Sequence, residues 1–519
     1  DGGLGDDSLL RGGGGADTVF GGDGIDRLEG QDGNDVLDGG SEDDVLVGGN
    51  GDDTLIGGAG DDQLHGQNGN DFIIGGDADQ IFASAGDDFI ELDGTTGGAF
   101  VDGGTEVDTV SLVGEANAVF MTNVEHVIGG AGLDVVTLSN TDVNRGDTTE
   151  FSGVETIHAG AGADVLTITT NDIEAIFGGN QSDAVTLTDG AGNSLLLDGV
   201  EGVTGSEGFD EVTLSDANTA TLGISGVEVA LGGTGNDRIH SSNADLTSIF
   251  IDGGLGDDSL LRGGGGADTV FGGDGIDRLE GQDGNDVLDG GSEDDVLVGG
   301  NGDDTLIGGA GDDQLHGQNG NDFIIGGDAD QIFASAGDDF IELDGTTGGA
   351  FVDGGTEVDT VSLVGEANAV FMTNVEHVIG GAGLDVVTLS NTDVNRGDTT
   401  EFSGVETIHA GAGADVLTIT TNDIEAIFGG NQSDAVTLTD GAGNSLLLDG
   451  VEGVTGSEGF DEVTLSDANT ATLGISGVEV ALGGTGNDRI HSSNADLTSI
   501  FIDGGLGDDS LLRGGGGAD

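Results

Sequence analysis

The chain has no Cys, no Pro, no Trp and no Tyr, and its nine basic residues are all Arg. Without Cys no disulfide can support the fold, so any crosslinking must come from elsewhere. Without Pro there are no slow X-Pro isomerisation steps, which suits a long array that folds segment by segment. Nine cations against one hundred acids leave a net charge of −91. Such a surface excludes ordinary nucleic-acid binding, which needs basic patches against phosphate, and it opposes adsorption to anionic membranes. No apolar run approaches the roughly 18–20 residues of a transmembrane helix, and no signal peptide is visible in these residues.

What is present is order. Residues 2 to 74 repeat a nine-residue unit: GGLGDDSLL, then after Arg11 GGGGADTVF, GGDGIDRLE, GQDGNDVLD, GGSEDDVLV, GGNGDDTLI, GGAGDDQLH and GQNGNDFII. Each fits G-G-x-G-x-D-x-U-x, where U is a large aliphatic residue. The glycines permit positive φ, so the first six residues can turn tightly and aim carbonyls inward. The sixth is always Asp: Asp7, Asp17, Asp26, Asp35, Asp44, Asp53, Asp62 and Asp71. The x-U-x strand then turns one aliphatic side chain inward, giving Leu9, Val19, Leu28, Leu37, Leu46, Leu55, Leu64 and Ile73 as a thin expected core. A disordered Gly-Asp linker has no reason to keep an aliphatic residue two positions after every Asp.

The unit resembles the RTX (repeat-in-toxin) nonapeptide. That resemblance implies an all-β parallel β-roll, or β-solenoid, with several Ca²⁺ ions bound in its turns. Calcium takes six to eight oxygen ligands, and one loop supplies only about half of that shell. The next coil must supply the rest, which couples ion binding to coil stacking. The resemblance also implies type I secretion from a Gram-negative bacterium through an uncleaved C-terminal signal.

Beyond the regular run, Asp79 and Asp88 still fit the ligand position, with Ile81 and Ile90 as core residues. From about residue 92 the period lengthens to between 19 and 30 residues around V-E-x-V-x-G-x-x-G-x-D-x-V-T-L, as in VEHVIGGAGLDVVTL and VEGVTGSEGFDEVTL. These read as wider coils of the same solenoid, with a strand on either side of each turn and a variable third side closing the coil. Val110, Leu112, Val136, Leu138, Leu166, Ile168, Val185, Leu187, Val212 and Leu214 should point inward. Ser111, Thr137, Thr167, Thr186 and Thr213 should stack outward. Asp108, Asp134, Asp164, Asp183 and Asp210 are calcium candidates, with capping of their own turns as the alternative. VEVALGGTGNDRIHS restores a full nonapeptide, with Asp237 as its Asp and Ile239 as its core residue.

A third period is 251 residues. Residues 1–251 recur identically at 252–502, and 503–519 begin the unit again. The chain is therefore read as a window on a longer tandem array. The second set of candidate ligands is Asp258, Asp268, Asp277, Asp286, Asp295, Asp304, Asp313, Asp322, Asp330, Asp339 and Asp488, followed by Asp509 and Asp519. The expected domains are a nonapeptide roll at 1–91, wider coils at 92–231, the same pair at 232–342 and 343–482, and the start of a third copy at 483–519. Eleven or twelve coils per copy, about 4.8 Å apart, predict a rod of roughly 50–55 Å per copy.

The rival explanation for the acids, halophilic adaptation, does not lock Asp to a nine-residue phase. Other signals are weak. Glu125, Glu155, Glu174, Glu201 and Glu228 fall at equivalent positions in successive coils and are read as an exposed, screened row, with bridging by cations as the alternative. Arg145-Gly146-Asp147 and Arg396-Gly397-Asp398 match an integrin tripeptide, and Asn180-Gln181-Ser182 matches a glycosylation sequon, in a composition that makes chance matches common. A single Thr row falls short of an ice-binding face. His65, His126, His158 and His240 lack metal-ligand spacing, and no HExxH, GxSxG or phosphate-loop Lys is present, so no enzymatic role is expected. Leu10, Phe20, Val47, Ile56, Phe72 and Ile74 flank U and should face solvent. Of these, Phe20, Ile56, Phe72 and Ile74 would gather on one side as an interface for a neighbouring rod or a flanking loop such as SSNADLTSIFID.

High extracellular calcium would rigidify such a chain outside the cell by mass action. The function expected is structural: an extracellular or cell-surface filament, matrix or surface layer of a bacterium, self-associating, with possible cell-surface or matrix partners and no nucleic-acid partner. The alternatives are the stalk of a giant adhesin and the folding appendage of a secreted enzyme. The complete reading frame would separate them, by a distal binding domain or a catalytic one.

Overall fold

The computed structural model describes residues 1–519 apart from 95–97, 114–115, 130–132, 139–147, 153, 160–162, 164, 169–172, 180–181, 189–191, 216–220 and 242–246, and in the second half 346–348, 365–366, 382–383, 390–398, 411–415, 420–421, 423, 431–432, 440–442, 458, 467–471, 493–498 and 516–519. The chain divides into two compact units, Asp1–Leu255 and Gly256–Asp519. Among the described residues each unit is all-β, a parallel β-solenoid without a helix. The two Arg-Gly-Asp triplets, Asn180 and Gln181 lie outside the described residues.

In the first unit, strands alternate between two sheets, and each pairs in parallel with the strand two along the chain. The first sheet aligns Val19 with Leu37, Leu37 with Leu55, Leu55 with Ile73 and Ile73 with Ile90. The second aligns Leu28 with Leu46, Leu46 with Leu64 and Leu64 with Ile81. Period-two alternation puts these rows face to face in the interior. Leu28 through Ile81 in these rows are fully buried, each contributing about 1.5–3 kcal/mol. The second unit repeats the arrangement, with Leu279, Leu288, Leu297, Leu306, Leu315, Ile324 and Ile332 fully buried.

The first nonapeptide departs from the expected register. Leu10, not Leu9, pairs with Leu28, and Arg11 pairs with Glu29. With Arg11 the first repeat is ten residues long, and the roll takes up the extra residue between Asp7 and the strand. Leu9 is therefore exposed, and Leu10 lies in the inward row. The equivalent Leu261 pairs with Leu279 and is fully buried. Arg11 Nε donates to Glu29 at 2.7 Å, and Arg27 joins the same carboxylate at 2.9 Å.

The longer-period coils keep the two-sheet plan. Strand Thr109–Val113 pairs with His126–Ile128, and Leu133–Leu138 pairs with Thr156–His158. No third side closes the coil among the described residues. The stretch read as a third side carries the strand Thr148–Ser152, which takes its turn in the first sheet beside His126–Ile128, with Phe151 fully buried. Val110, Leu112, Val136, Leu166, Ile168, Val185, Leu187, Val212 and Leu214 are buried as expected; the side chain of Leu138 lies outside the described residues.

The two-sheet plan also breaks up two expected rows. Thr167 and Thr186 stack, and Thr204 continues that ladder. Thr137 instead sits beside His158 on the other sheet, and Ser111 beside Ile128. Glu125 and Glu155 lie on opposite sheets, so the glutamates do not form one row. The segment Phe250–Leu255 is a strand of the roll with Ile251 fully buried, not a flanking loop.

Phe20, Ile56, Ile74 and Phe72 do share the outer face of the first sheet. The second sheet carries outward rows of its own, in which Val47 aligns with His65 and His65 with Phe82. His65 and Phe82 stack with ring centroids 5.0 Å apart. Leu55→Ala, in the fully buried row, should cost about 2–5 kcal/mol. Leu9→Ala should change stability by no more than about 0.5 kcal/mol. Urea midpoints at saturating calcium check the difference.

Candidate calcium sites

In each nonapeptide the strand ends at a glycine pair and the chain turns back through the loop that carries the Asp. The second glycine of the pair takes positive φ, 108° at Gly40 and 124° at Gly49. Gln31 and Gln67 hold the same position at 86° and 80°, a conformation that costs a side chain about 1–3 kcal/mol.

These turns stack the aspartates into two ladders. In one, the Asp7 N–H donates to Asp26 Oδ1, Asp26 to Asp44, Asp44 to Asp62 and Asp62 to Asp79, at 2.6–2.8 Å. In the other, Asp17 donates to Asp35, Asp35 to Asp53, Asp53 to Asp71, Asp71 to Asp88 and Asp88 to Asp108, at 2.7–3.0 Å. The second unit repeats both: Asp258, Asp277, Asp295, Asp313 and Asp330 form one, and Asp268, Asp286, Asp304, Asp322, Asp339 and Asp359 the other. A third ladder, exposed and running the opposite way, uses the fifth residue of the unit: Asp52 N–H donates to Asn34 Oδ1, and Asn70 N–H to Asp52 Oδ1. The recurrence of Asp or Asn at that position was its sequence signal.

Each laddered carboxylate spends one oxygen on a backbone N–H. The other, Oδ2, is buried without a hydrogen-bond partner at Asp7, Asp17, Asp26, Asp35, Asp44, Asp53, Asp62, Asp71, Asp88 and Asp108, and at Asp277, Asp286, Asp295, Asp304, Asp313, Asp322, Asp339 and Asp359. A buried, unpaired carboxylate oxygen costs several kcal/mol unless a cation or a proton meets it. The space in front of it is set by the first glycine of the pair. A Cβ on Gly39 would stand against Asp44 Oδ2 and 2.6 Å from the Gly57 carbonyl oxygen. A Cβ on Gly48 would stand against Asp53 Oδ2 and 2.9 Å from the Gly66 carbonyl. Glycine is thus required where a carboxylate of one coil and a carbonyl of the next converge. No three Asp, Glu or His side chains converge among the described residues, so the remaining donors must be backbone carbonyls. An all-oxygen set of carboxylate and carbonyl is the donor chemistry of calcium. When bound, the ion would supply the charge that these oxygens lack and tie each coil to the next.

Other turns satisfy Oδ2 from within. The Gly76 N–H donates to Asp79 Oδ2 at 2.7 Å, and Gly327 to Asp330 at 2.6 Å. Asp210 Oδ2 accepts both the backbone N–H and the hydroxyl of Ser206. In these three turns the aspartate caps its own loop. Asp134, Asp183, Asp237 and Asp488 are buried at the ligand position, and Asp509 accepts the Asp488 N–H at 3.0 Å. Asp164 and Asp519 lie outside the described residues.

Several ladder members carry no Asp and escaped the sequence pattern. Asn193 holds the ligand position one coil before Asp210, and its N–H donates to Asp210 Oδ1. Asn117 bonds Asp134 in the same way through its side chain. Their spacing of 17 residues from the next Asp was the available signal. The glutamates, expected to be exposed or else bridged by cations, also join the ladder. Asp108 N–H donates to Glu125 Oε2, Asp134 to Glu155, Asp183 to Glu201 and Asp210 to Glu228, at 2.7–2.9 Å. Here the corner is compressed to Asn-Val-Glu or Gly-Val-Glu. Asn123, Gly199 and Gly226 turn at φ 53°, 67° and 65°, the Val is buried, and the longer Glu side chain reaches the N–H that Asp reaches elsewhere.

Burial, followed by neighbouring carboxylates, raises the laddered aspartates from an ordinary 3.8 to about 6 at Asp44 and Asp53 and about 7 at Asp62 and Asp71. In the second unit it raises Asp295 and Asp304 to about 7. Without calcium the folded state therefore binds protons more tightly than the unfolded chain. Its stability is greatest below the unfolded value near 4 and is lost as pH rises through 6–7. Circular dichroism of the chelated protein should show more β-structure at pH 5 than at pH 8. With calcium the order should reverse, because protons compete for the same oxygens.

A model of the RTX calcium-binding nonapeptide repeat matches residues 11–46, 47–78, 74–96, 151–167 and 222–245, and again 262–297, 298–329, 325–347, 402–418 and 473–496. No curated protein matches the chain. Repeated matches in both units, on a parallel β-solenoid whose glycine turns hold unpaired carboxylate oxygens, lead to one conclusion: the chain belongs to the RTX calcium-binding nonapeptide repeat family.

Proposed function

We propose that this calcium-binding repeat protein is an extracellular structural element, rigidified by calcium and associating side by side into a filament, matrix or surface layer. The observation that carries the reading is the pair of aspartate ladders with a charge-deficient oxygen in coil after coil. Calcium is scarce inside cells and plentiful outside, so by mass action the roll gains its rigidity after export. RTX repeat proteins are generally secreted, which agrees with this placement.

Two features support lateral association. Calcium offsets the charge of −91 that would otherwise hold copies apart. The outer faces also carry apolar rows where solvent would favour polar residues: Phe20, Phe72 and Phe89 are more than a third exposed on one sheet, and Phe120 is 49 % exposed on the other. Such rows on a soluble polyanion suit contact with a partner of the same kind. Electron microscopy of the purified chain should show regular fibres or layers in millimolar calcium that disperse on chelation. Single, unassociated particles under both conditions would remove the assembly role.

A further inference from the structure

We propose a second kind of divalent-cation site, at Asp108–Glu125 and again at Asp359–Glu376, in which a glutamate takes the part played elsewhere by the next coil's aspartate. It rests on the calcium reading of the nonapeptide ladders and extends it to turns beyond the segments that match the nonapeptide model.

Asp108 is fully buried, and its Oδ2 has no hydrogen-bond partner. Its other oxygen accepts the Asp88 N–H at 3.0 Å, which fixes the carboxylate with Oδ2 pointing over Gly103. A Cβ on Gly103 would stand 2.7 Å from Asp108 Oδ2 and against the Asn123 carbonyl oxygen. This is the same convergence of aspartate oxygen and next-coil carbonyl that Gly39 and Gly48 frame in the nonapeptides. Asn123 stands where the glycine of a full unit would stand, and it holds the positive φ of 53° that the bend needs.

Two residues later comes Glu125, whose Oε2 accepts the Asp108 N–H at 2.9 Å. Asp44 divides its two oxygens between a backbone N–H and the calcium pocket. Glu125 has the same division open to it, with one oxygen on the N–H and the other toward the ion. The shorter corner moves the carboxylate from the sixth position to the third, and the extra methylene of Glu restores the reach. Gly354, Asp359, Asn374 and Glu376 repeat the arrangement, with Asp359 fully buried and its Oδ2 unpartnered.

The chain contains its own contrast. At Asp210 and Asp461 the same corner presents Glu228 and Glu479, but Ser206 and Ser457 already donate to Oδ2. There the glutamate is a cap and no pocket is left for an ion.

Native mass spectrometry of the full chain in calcium counts the bound ions. The paired substitution Glu125→Gln with Glu376→Gln keeps an acceptor for the N–H but removes the charge, and the count should fall by two. Glu228→Gln with Glu479→Gln should leave it unchanged. An unchanged count in the first pair, with native circular dichroism, overturns the proposal and leaves Glu125 as a corner cap. If the first pair does not fold, Glu125→Asp with Glu376→Asp replaces it; two ions should then bind at least about tenfold more weakly, and unaltered affinity overturns the proposal. Asp53→Asn with Asp304→Asn tests the underlying reading separately. If that pair loses no ion, the nonapeptide sites themselves are not calcium sites.

Discussion

A carboxylate buried with one oxygen hydrogen-bonded and the other unmet is the constraint on which this molecule turns. In the nonapeptide coils the interior holds little more than one aliphatic side chain per strand, and a row of buried anions sits beside it. Hydrophobic burial of that size does not offset the desolvation of charge. The fold is therefore conditional on a partner for each spare oxygen. Composition follows from this: Asp outnumbers every other charged residue because its short side chain suits the turn, glycine clears the space in front of it, and no cysteine is present to crosslink the coils.

The backbone pairing tolerates much more variation than the nonapeptide suggests. An inserted residue between Asp7 and Leu10 leaves the alignment of Leu10 with Leu28 intact. A corner compressed to Asn-Val-Glu leaves Val110 aligned with Val127. What stays constant is the strand two positions away and an oxygen acceptor for the N–H of the preceding turn. Asp and Glu both supply that acceptor, each at the distance from the bend that its side-chain length allows, while Asn193 keeps only the donor side of the ladder.

The regular part of the roll was legible in the sequence because three independent requirements share one phase: glycine for the bend, Asp for the ladder and an aliphatic residue for the interior. Leu28 through Ile73 were placed correctly on that basis, and the inward residues of the longer coils followed from period-two alternation. The misreadings came where the phase breaks. Leu9 was assigned inward by counting from Asp7, when the strand pairing, not the aspartate, sets the register. A third side was inferred from segment length, although Thr148–Ser152 pairs as an ordinary strand of the first sheet. Glu125 was seen as one of a recurring row but not as a ladder member, and Asn193 was missed, because a template fixed on Asp cannot see a carboxylate moved by three residues or an amide put in its place. Which aspartates cap their own turns depends on a neighbouring N–H or hydroxyl, as Ser206 shows at Asp210, and that is a matter of geometry alone.

The buried ladder has a sense of direction, since every amide in it is met by the residue about eighteen positions later and never by the one before. A chain released amino end first would always carry a freshly formed bend whose donor waits for sequence still to come. Released the other way, it would carry a waiting acceptor, charged and ready for an ion before its donor arrives. The order of emergence thus decides whether the advancing edge captures metal first or closes its backbone first, a kinetic asymmetry written into an otherwise monotonous polymer.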